Sequence, residues 1–245
     1  MNRIIALLIA ASASLVPARA GQDASFTEAN QAYAAGDFRK AIDGYEQLVR
    51  DGRWSSNLFY DLGNAWYRAG DFGKAILNYE RALALDPHQP EAEANLRLVR
   101  DQARALEMRP DAAERYVAFA TANQWTIAAA LSFWIAALVA LTSLFATRRS
   151  VARATIVALA LVVCGASTWA AWTKENGWHG RSLAIVIGNK TEARLATADT
   201  SASVLVLPPG SEVQIVSTRG DWTYAILPNA QRGWIPAGAL QPVRL

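Results

Sequence analysis

The 245 residues are 52% apolar and 18% charged, with a net charge of +3, which is richer in apolar groups and poorer in charge than an ordinary soluble domain. No block of Lys and Arg is long enough to follow a phosphate backbone, which argues against nucleic acid as a partner. The single cysteine, Cys164, excludes an intramolecular disulfide and a cysteine-rich metal site.

Residues 1–20 read as a secretory signal, with Arg3 ahead of an apolar core over 4–16 and Ala18-Arg19-Ala20 as a small-x-small cleavage site. A retained N-terminal anchor is the other reading of this segment.

Sliding residues 30–46 forward by 34 positions lays Asn30 on Asn64, Tyr33 on Tyr67, Gly36 on Gly70, Asp37 on Asp71 and Phe38 on Phe72. It continues with Lys40 on Lys74, Ala41 on Ala75, Ile42 on Ile76, Tyr45 on Tyr79 and Glu46 on Glu80. This period, built as helix, Gly-Asp turn, helix, resembles the tetratricopeptide repeat. The second copy, 56–89, carries Leu62, Gly63, Trp66, Ala75, Tyr79, Ala82 and Pro87 at the packing positions of that family, and the first copy is degenerate before Asn30. Residues 91–106 place Ala92, Leu96, Val99, Ala103 and Leu106 at spacings of four and three, the stripe of a capping helix that closes the all-α module over 21–109. The resemblance implies a concave groove that binds extended or helical peptide segments, lined by Asn30, Tyr33, Tyr60, Asn64, Tyr67 and Arg68. Asn30 and Asn64 read either as groove amides that bond a peptide backbone or as polar helix-surface positions. The lysines of a carboxylate clamp are missing, which argues against recognition of a partner's C-terminus.

Residues 110–124 are a linker or an interfacial helix, Asp111 and Glu114 after Pro110 suggesting a capped helix start. Two apolar runs follow, 125–146 and 154–173, each long enough to cross a bilayer as a helix. The turn between them, 147–153, holds Arg148, Arg149 and Arg153 without an acid, so the positive-inside rule makes it cytoplasmic and both flanking modules extracytoplasmic. Trp125, Trp169, Trp172 and Trp178 then share one headgroup layer. Small residues (Ser132, Ala136, Ala140; Gly165, Ala166, Ala170) predict close packing of an antiparallel transmembrane hairpin. Neither span contains an Asp, Glu, Lys, Arg or His, which argues against transport.

After a linker over 174–181, the pattern in 182–245 turns to β, with strands expected at 183–187, 204–207, 212–216, 222–226 and 233–235. Pro209-Gly210-Ser211-Glu212-Val213, Gly220-Asp221-Trp222-Thr223-Tyr224 and Gly233-Trp234-Ile235-Pro236-Ala237 resemble bacterial SH3-like domains. That resemblance implies a small all-β barrel with Trp234 in its core. Strand alternation puts Trp222 and Tyr224 on one face, as a surface for a peptide or a glycan.

Only His88 and His179 could act as an imidazole base, and neither stands near a nucleophile in the predicted layout. With no phosphate loop and no metal-binding pair, the sequence predicts no enzyme, no cofactor and no metal, although paired carboxylates stay open. The order of signal, repeats, two spans and SH3-like domain makes this a multidomain membrane protein that resembles the BatE-type proteins of bacterial aerotolerance operons. The resemblance implies an inner-membrane scaffold that works with von Willebrand-type membrane proteins and a MoxR-type ATPase. Binding of peptidoglycan through the SH3-like domain is the alternative.

Overall fold

The computed structural model describes residues 16–109, 112–145, 150–176, 180 and 182–244. Most of the expected signal segment, Asp111, Arg148, Arg149, Trp178 and His179 lie outside them.

Five helices form the repeat region: α1 (Val16–Ala34), α2 (Phe38–Arg50), α3 (Ser56–Arg68), α4 (Phe72–Leu85) and α5 (Pro90–Ala103). The periodic Gly-Asp turns do two jobs. Gly36 and Gly70 take φ of 81° and 82°, a left-handed conformation that a residue without Cβ adopts freely. Asp37 and Asp71 then cap the following helices, accepting from the backbone N–H of Lys40 at 3.1 Å and of Lys74 at 3.0 Å. Ala41 and Ala75 are fully buried where helices touch, and Tyr45 and Tyr79 fill the wedges beside them. Helix α4 is buried on every side from Ala75 to Ala82, because three different elements cover it: α3, α5 and a strand of the C-terminal sheet.

A short helix α6 (Ala112–Val117) leads to the long helices α7 (Ala122–Leu144) and α8 (Val151–Asn176), which pack against each other. Both are long and apolar enough to cross a membrane, with mean hydropathy 2.2 and 1.9. Helix α7 begins at a capping box, Thr121 and Gln124 each bonding the other's backbone N–H. The buried small residues at the helix contact are Ser132, Ala136, Ser167 and Ala170. Ala140, Gly165 and Ala166, expected there, face outward. The buried stripe of α8 runs through Ser167, Ala170 and Thr173, and Gly165 and Ala166, in the two positions just before it, fall on the outer side.

Seven antiparallel strands form one sheet: β1 (Leu183–Val186), β2 (Thr191–Arg194), β3 (Ser203–Leu207), β4 (Glu212–Arg219), β5 (Trp222–Ile226), β6 (Arg232–Pro236) and β7 (Leu240–Pro242), in the order β3-β2-β6-β5-β4-β1-β7. The sheet is open: β3 and β7 are its edges and do not pair with each other, so the described strands do not close the expected barrel. Strands β2 and β7 were not foreseen. Thr191–Arg194 is polar at three of its four positions and Leu240–Pro242 is three residues ending in proline, and neither carries a β-branched or aromatic run that would mark it.

Strand β1 is buried on both faces. Ala184 and Val186 point into the sheet's own core with Leu207, Val213, Ala225, Leu227 and Ile235. Leu183 and Ile185 point the other way, into one cluster with Ala75, Ile76, Leu77, Tyr79, Leu96 and Val99 of the repeat region. Repeat and sheet therefore share a core. A Cβ on Gly73 would sit 3.0 Å from the Val186 carbonyl oxygen and 3.1 Å from the Ile187 Cα, so the start of α4 lies directly against the end of β1.

Candidate functional site

The repeat places the six predicted groove residues in two sets, each gathered around the turn and tyrosine of one unit. In the second set, the Tyr79 hydroxyl donates to Asn64 Oδ1 at 2.7 Å. Asn95 Nδ2 donates to the same oxygen at 2.9 Å and reaches the Tyr60 hydroxyl at 3.4 Å. Tyr67 tilts against Phe72 with ring centres 6.0 Å apart. In the first set, the Tyr45 hydroxyl donates to Asn30 Oδ1 at 2.6 Å, the same bond one period earlier. Tyr33 meets Phe38 edge-on at 5.5 Å, and the Arg68 guanidinium lies 4.6 Å from the centre of that ring.

The two asparagines are not idle surface positions: each side-chain oxygen accepts from a buried tyrosine of the paired helix. Burial pushes both tyrosine hydroxyls well above their ordinary pKa, Asp61 adding to the effect at Tyr45 and Tyr60 at Tyr79, so both remain donors at any physiological pH. Tyr33, Tyr60 and Tyr67 are half-buried and Asn30 and Arg68 exposed, leaving them open to a ligand. The reading of sequence missed Asn95 and Asp61. They are a period of 34 apart, a signal hidden because one is an amide and the other an acid.

A second cluster lies where repeat meets sheet. Arg100 of α5 reaches with one nitrogen, Nη2, to both Glu80 of α4 and Glu212 of β4, and its Nη1 lies 3.5 Å from the more exposed Glu107. Glu212 Oε2 also accepts from the Met108 backbone N–H at 2.9 Å, and Glu212 N–H donates to the Leu106 carbonyl at 2.9 Å. Two buried carboxylates thus share one guanidinium. Burial raises Glu212 to about 7, with Glu80 adding to the rise and Arg100 opposing it; Glu80 is raised by the same burial. Beside them, the buried Arg81 donates to the carbonyls of Val243 at 3.2 Å and Pro242 at 3.0 Å, sewing β7 to α4. Arg244 pairs with Glu175 at the end of α8 at 3.1 Å.

The third feature is aromatic. Strand β5 alternates as predicted: Trp222 and Tyr224 are half-buried on one face, and Thr223 and Ala225 are buried on the other. Trp234, expected in the core, shares the face of Tyr224, its direct partner on β6, with ring centres 4.9 Å apart. Gly233 and Ile235 take the inward positions of β6 instead. Alternation counted from the buried Ile235 would have put Trp234 outside.

Residues 56–89 match the family described as Tetratricopeptide repeat. No curated protein matches the chain. The match covers α3, α4 and the turn after them, the segment that carries Tyr60, Asn64, Tyr67 and Arg68 and also the face on which the sheet docks. A repeat of this family is a protein-interaction fold, so the chain has a module for binding protein partners.

Proposed function

We propose that the chain is a non-enzymatic scaffold of a bacterial inner membrane, anchored by α7 and α8, whose repeat groove holds extended segments of envelope proteins. The observation that carries this reading is the groove itself: Tyr33, Tyr60, Tyr67 and Arg68 remain half-buried or exposed while the side-chain oxygens of Asn30 and Asn64 are fixed by tyrosine hydroxyls of the paired helices. Such a surface is held rigid before a partner arrives, which lowers the ordering cost of binding. The long rows of exposed apolar side chains on α7 and α8, among them Leu131, Trp134, Leu138, Leu159 and Val162, suit lipid and not water. The repeat and the SH3-like sheet lie on the extracytoplasmic side in this reading. The partners are von Willebrand-type membrane proteins and a MoxR-type ATPase system, in aerotolerance or envelope-stress assembly, as the order of segments suggests.

A second reading rests on the aromatic face. Trp222, Tyr224 and Trp234 offer three neighbouring rings on one side of the sheet, a surface suited to stacking on sugar rings or peptides, and peptidoglycan is the candidate. Photoreactive groups placed at Tyr67 and at Trp222 of the intact protein in its own membrane separate the two. Envelope proteins captured at Tyr67 support the scaffold; wall fragments captured only at Trp222 replace it with wall binding.

A further inference from the structure

The two junctions between successive repeat units are built from equivalent positions that differ in chemistry. At the second junction, Tyr60, Asn64, Tyr79 and Asn95 close a network: Asn95 supplies the donor, Asn64 Oδ1 receives it together with the Tyr79 hydroxyl, and Tyr60 offers a further hydroxyl. One period earlier the same places hold Phe26, Asn30, Tyr45 and Asp61. Tyr45 still donates to Asn30 Oδ1. Phe26, tilted against Tyr45 at 5.9 Å, has no hydroxyl, and the Asp61 carboxylate has no proton to give when ionised. Asp61 is half-buried and makes no hydrogen bond or ion pair with the described residues.

The first junction is thus short of donors where the second is satisfied. It presents a carboxylate and the remaining acceptor capacity of Asn30 beside the rings of Phe26 and Tyr33, both half-buried. Nearby cations are held by other partners, Lys40 by Glu28 at 3.4 Å, Arg50 by Glu46 at 3.5 Å and Arg68 over the Phe38 ring, and among the described residues no ion pair reaches Asp61. A half-buried carboxylate without a counter-charge, next to aromatic faces, is complementary to an ammonium or guanidinium group.

We propose that the first repeat junction is a subsite for a lysine or arginine side chain of the bound partner, held by Asp61 with Asn30 and flanked by Phe26 and Tyr33. This rests on the groove reading above and names the residue chemistry that the groove selects. It also makes capture proton-linked. Burial pushes the Asp61 carboxyl up to about 6, so acid removes the charge the cation needs, and Tyr45 of α2, whose hydroxyl burial pushes well above its ordinary value with Asp61 adding to the effect, stays protonated throughout.

The test uses the full chain in lipid nanodiscs against an array of extended peptides in which one position at a time is Lys, Arg or Gln. The wild type is expected to favour Lys or Arg over Gln at one register position by about tenfold or more, as for a charge-assisted hydrogen bond. That preference is lost when the pH is brought well below the Asp61 value of about 6. Asp61→Asn installs the residue that Asn95 already occupies one period on, so it fits sterically; it is expected to abolish the preference while peptides still bind. Peptides that bind without a basic preference, or a preference that survives Asp61→Asn in a protein with unchanged circular dichroism, overturn the subsite and leave the groove standing. Absence of any peptide binding overturns both.

Discussion

Two of the interfaces among the described residues are made of opposite materials. Helices α7 and α8 meet through Ser132, Ala136, Ser167 and Ala170, small side chains with no ionisable group among them. Repeat and sheet meet through β1, α4 and α5, and there Arg100 lies between the buried Glu80 and Glu212. Small-residue contacts permit close approach but specify little about who the neighbour is. A buried ion cluster adds little net stability, because desolvation offsets attraction, yet it strongly penalises any arrangement that leaves one member unpaired. The hairpin is a generic join, and the joint between repeat and sheet is a selective one.

The strongest way to break this contrast is Arg100→Met. It strands two buried carboxylates, and a loss of about 3–5 kcal/mol is expected, read as a drop in thermal midpoint of the purified chain. Adding Glu80→Gln and Glu212→Gln to that variant should recover much of the loss; a loss that persists would mean that Arg100 acts by packing alone. Next in size is Gly73→Ile. It drives a branched side chain into the backbone of Val186 and Ile187 and should cost about 1–3 kcal/mol as overpacking does, measured in the same melt. Asn64→Ala should cost a comparable or smaller amount, about 1–3 kcal/mol, by leaving the buried Tyr79 hydroxyl without its acceptor.

A smaller effect sharpens the comparison through pH. Glu212 has a folded value of about 7 against roughly 4.3 for an unfolded glutamate, so between those values the folded chain holds more protons than the unfolded one. Stability is therefore expected to rise as pH falls through about 7, the penalty being complete above it. Glu212→Gln should flatten that slope in melts taken across the range. The smallest expected effect is Ala136→Val in α7, which should leave the thermal midpoint of the repeat and sheet unchanged while weakening the helix pair, read by crosslinking between α7 and α8.

Features governed by local pattern were legible in the sequence. The 34-residue period gave the helices, their turns and the alanine contacts; apolar run length gave the two long helices; alternation placed Trp222 and Tyr224 together. The joint was not legible, because its members are far apart in the chain: Glu80 and Arg100 are 20 residues apart and Arg100 and Glu212 are 112 apart. One clue was present. Leu183-Ala184-Ile185-Val186 is apolar without a break, the mark of a strand covered on both sides, and a free-standing small sheet has no second layer to cover it. At the groove, the sequence identified Asn30 and Asn64 but not what they hold, since a hydroxyl of the paired helix reaches them only once the helices have packed. The open sheet escaped prediction because closure depends on β3 meeting β7, a relation between two edge strands of which the second carried no sequence signal.

The core shared by α4 and β1 has a consequence for biosynthesis. Everything between them, including both long apolar helices, is translated after the repeat and before the strand that covers it. The repeat therefore emerges with Ile76, Leu77 and Arg81 uncovered, and it waits for the last quarter of the chain. An unfinished chain displays that uncovered face, whereas a finished one hides it. It also requires the two long helices to return the chain to the end from which it started, because a strand delivered to the far end could not reach α4.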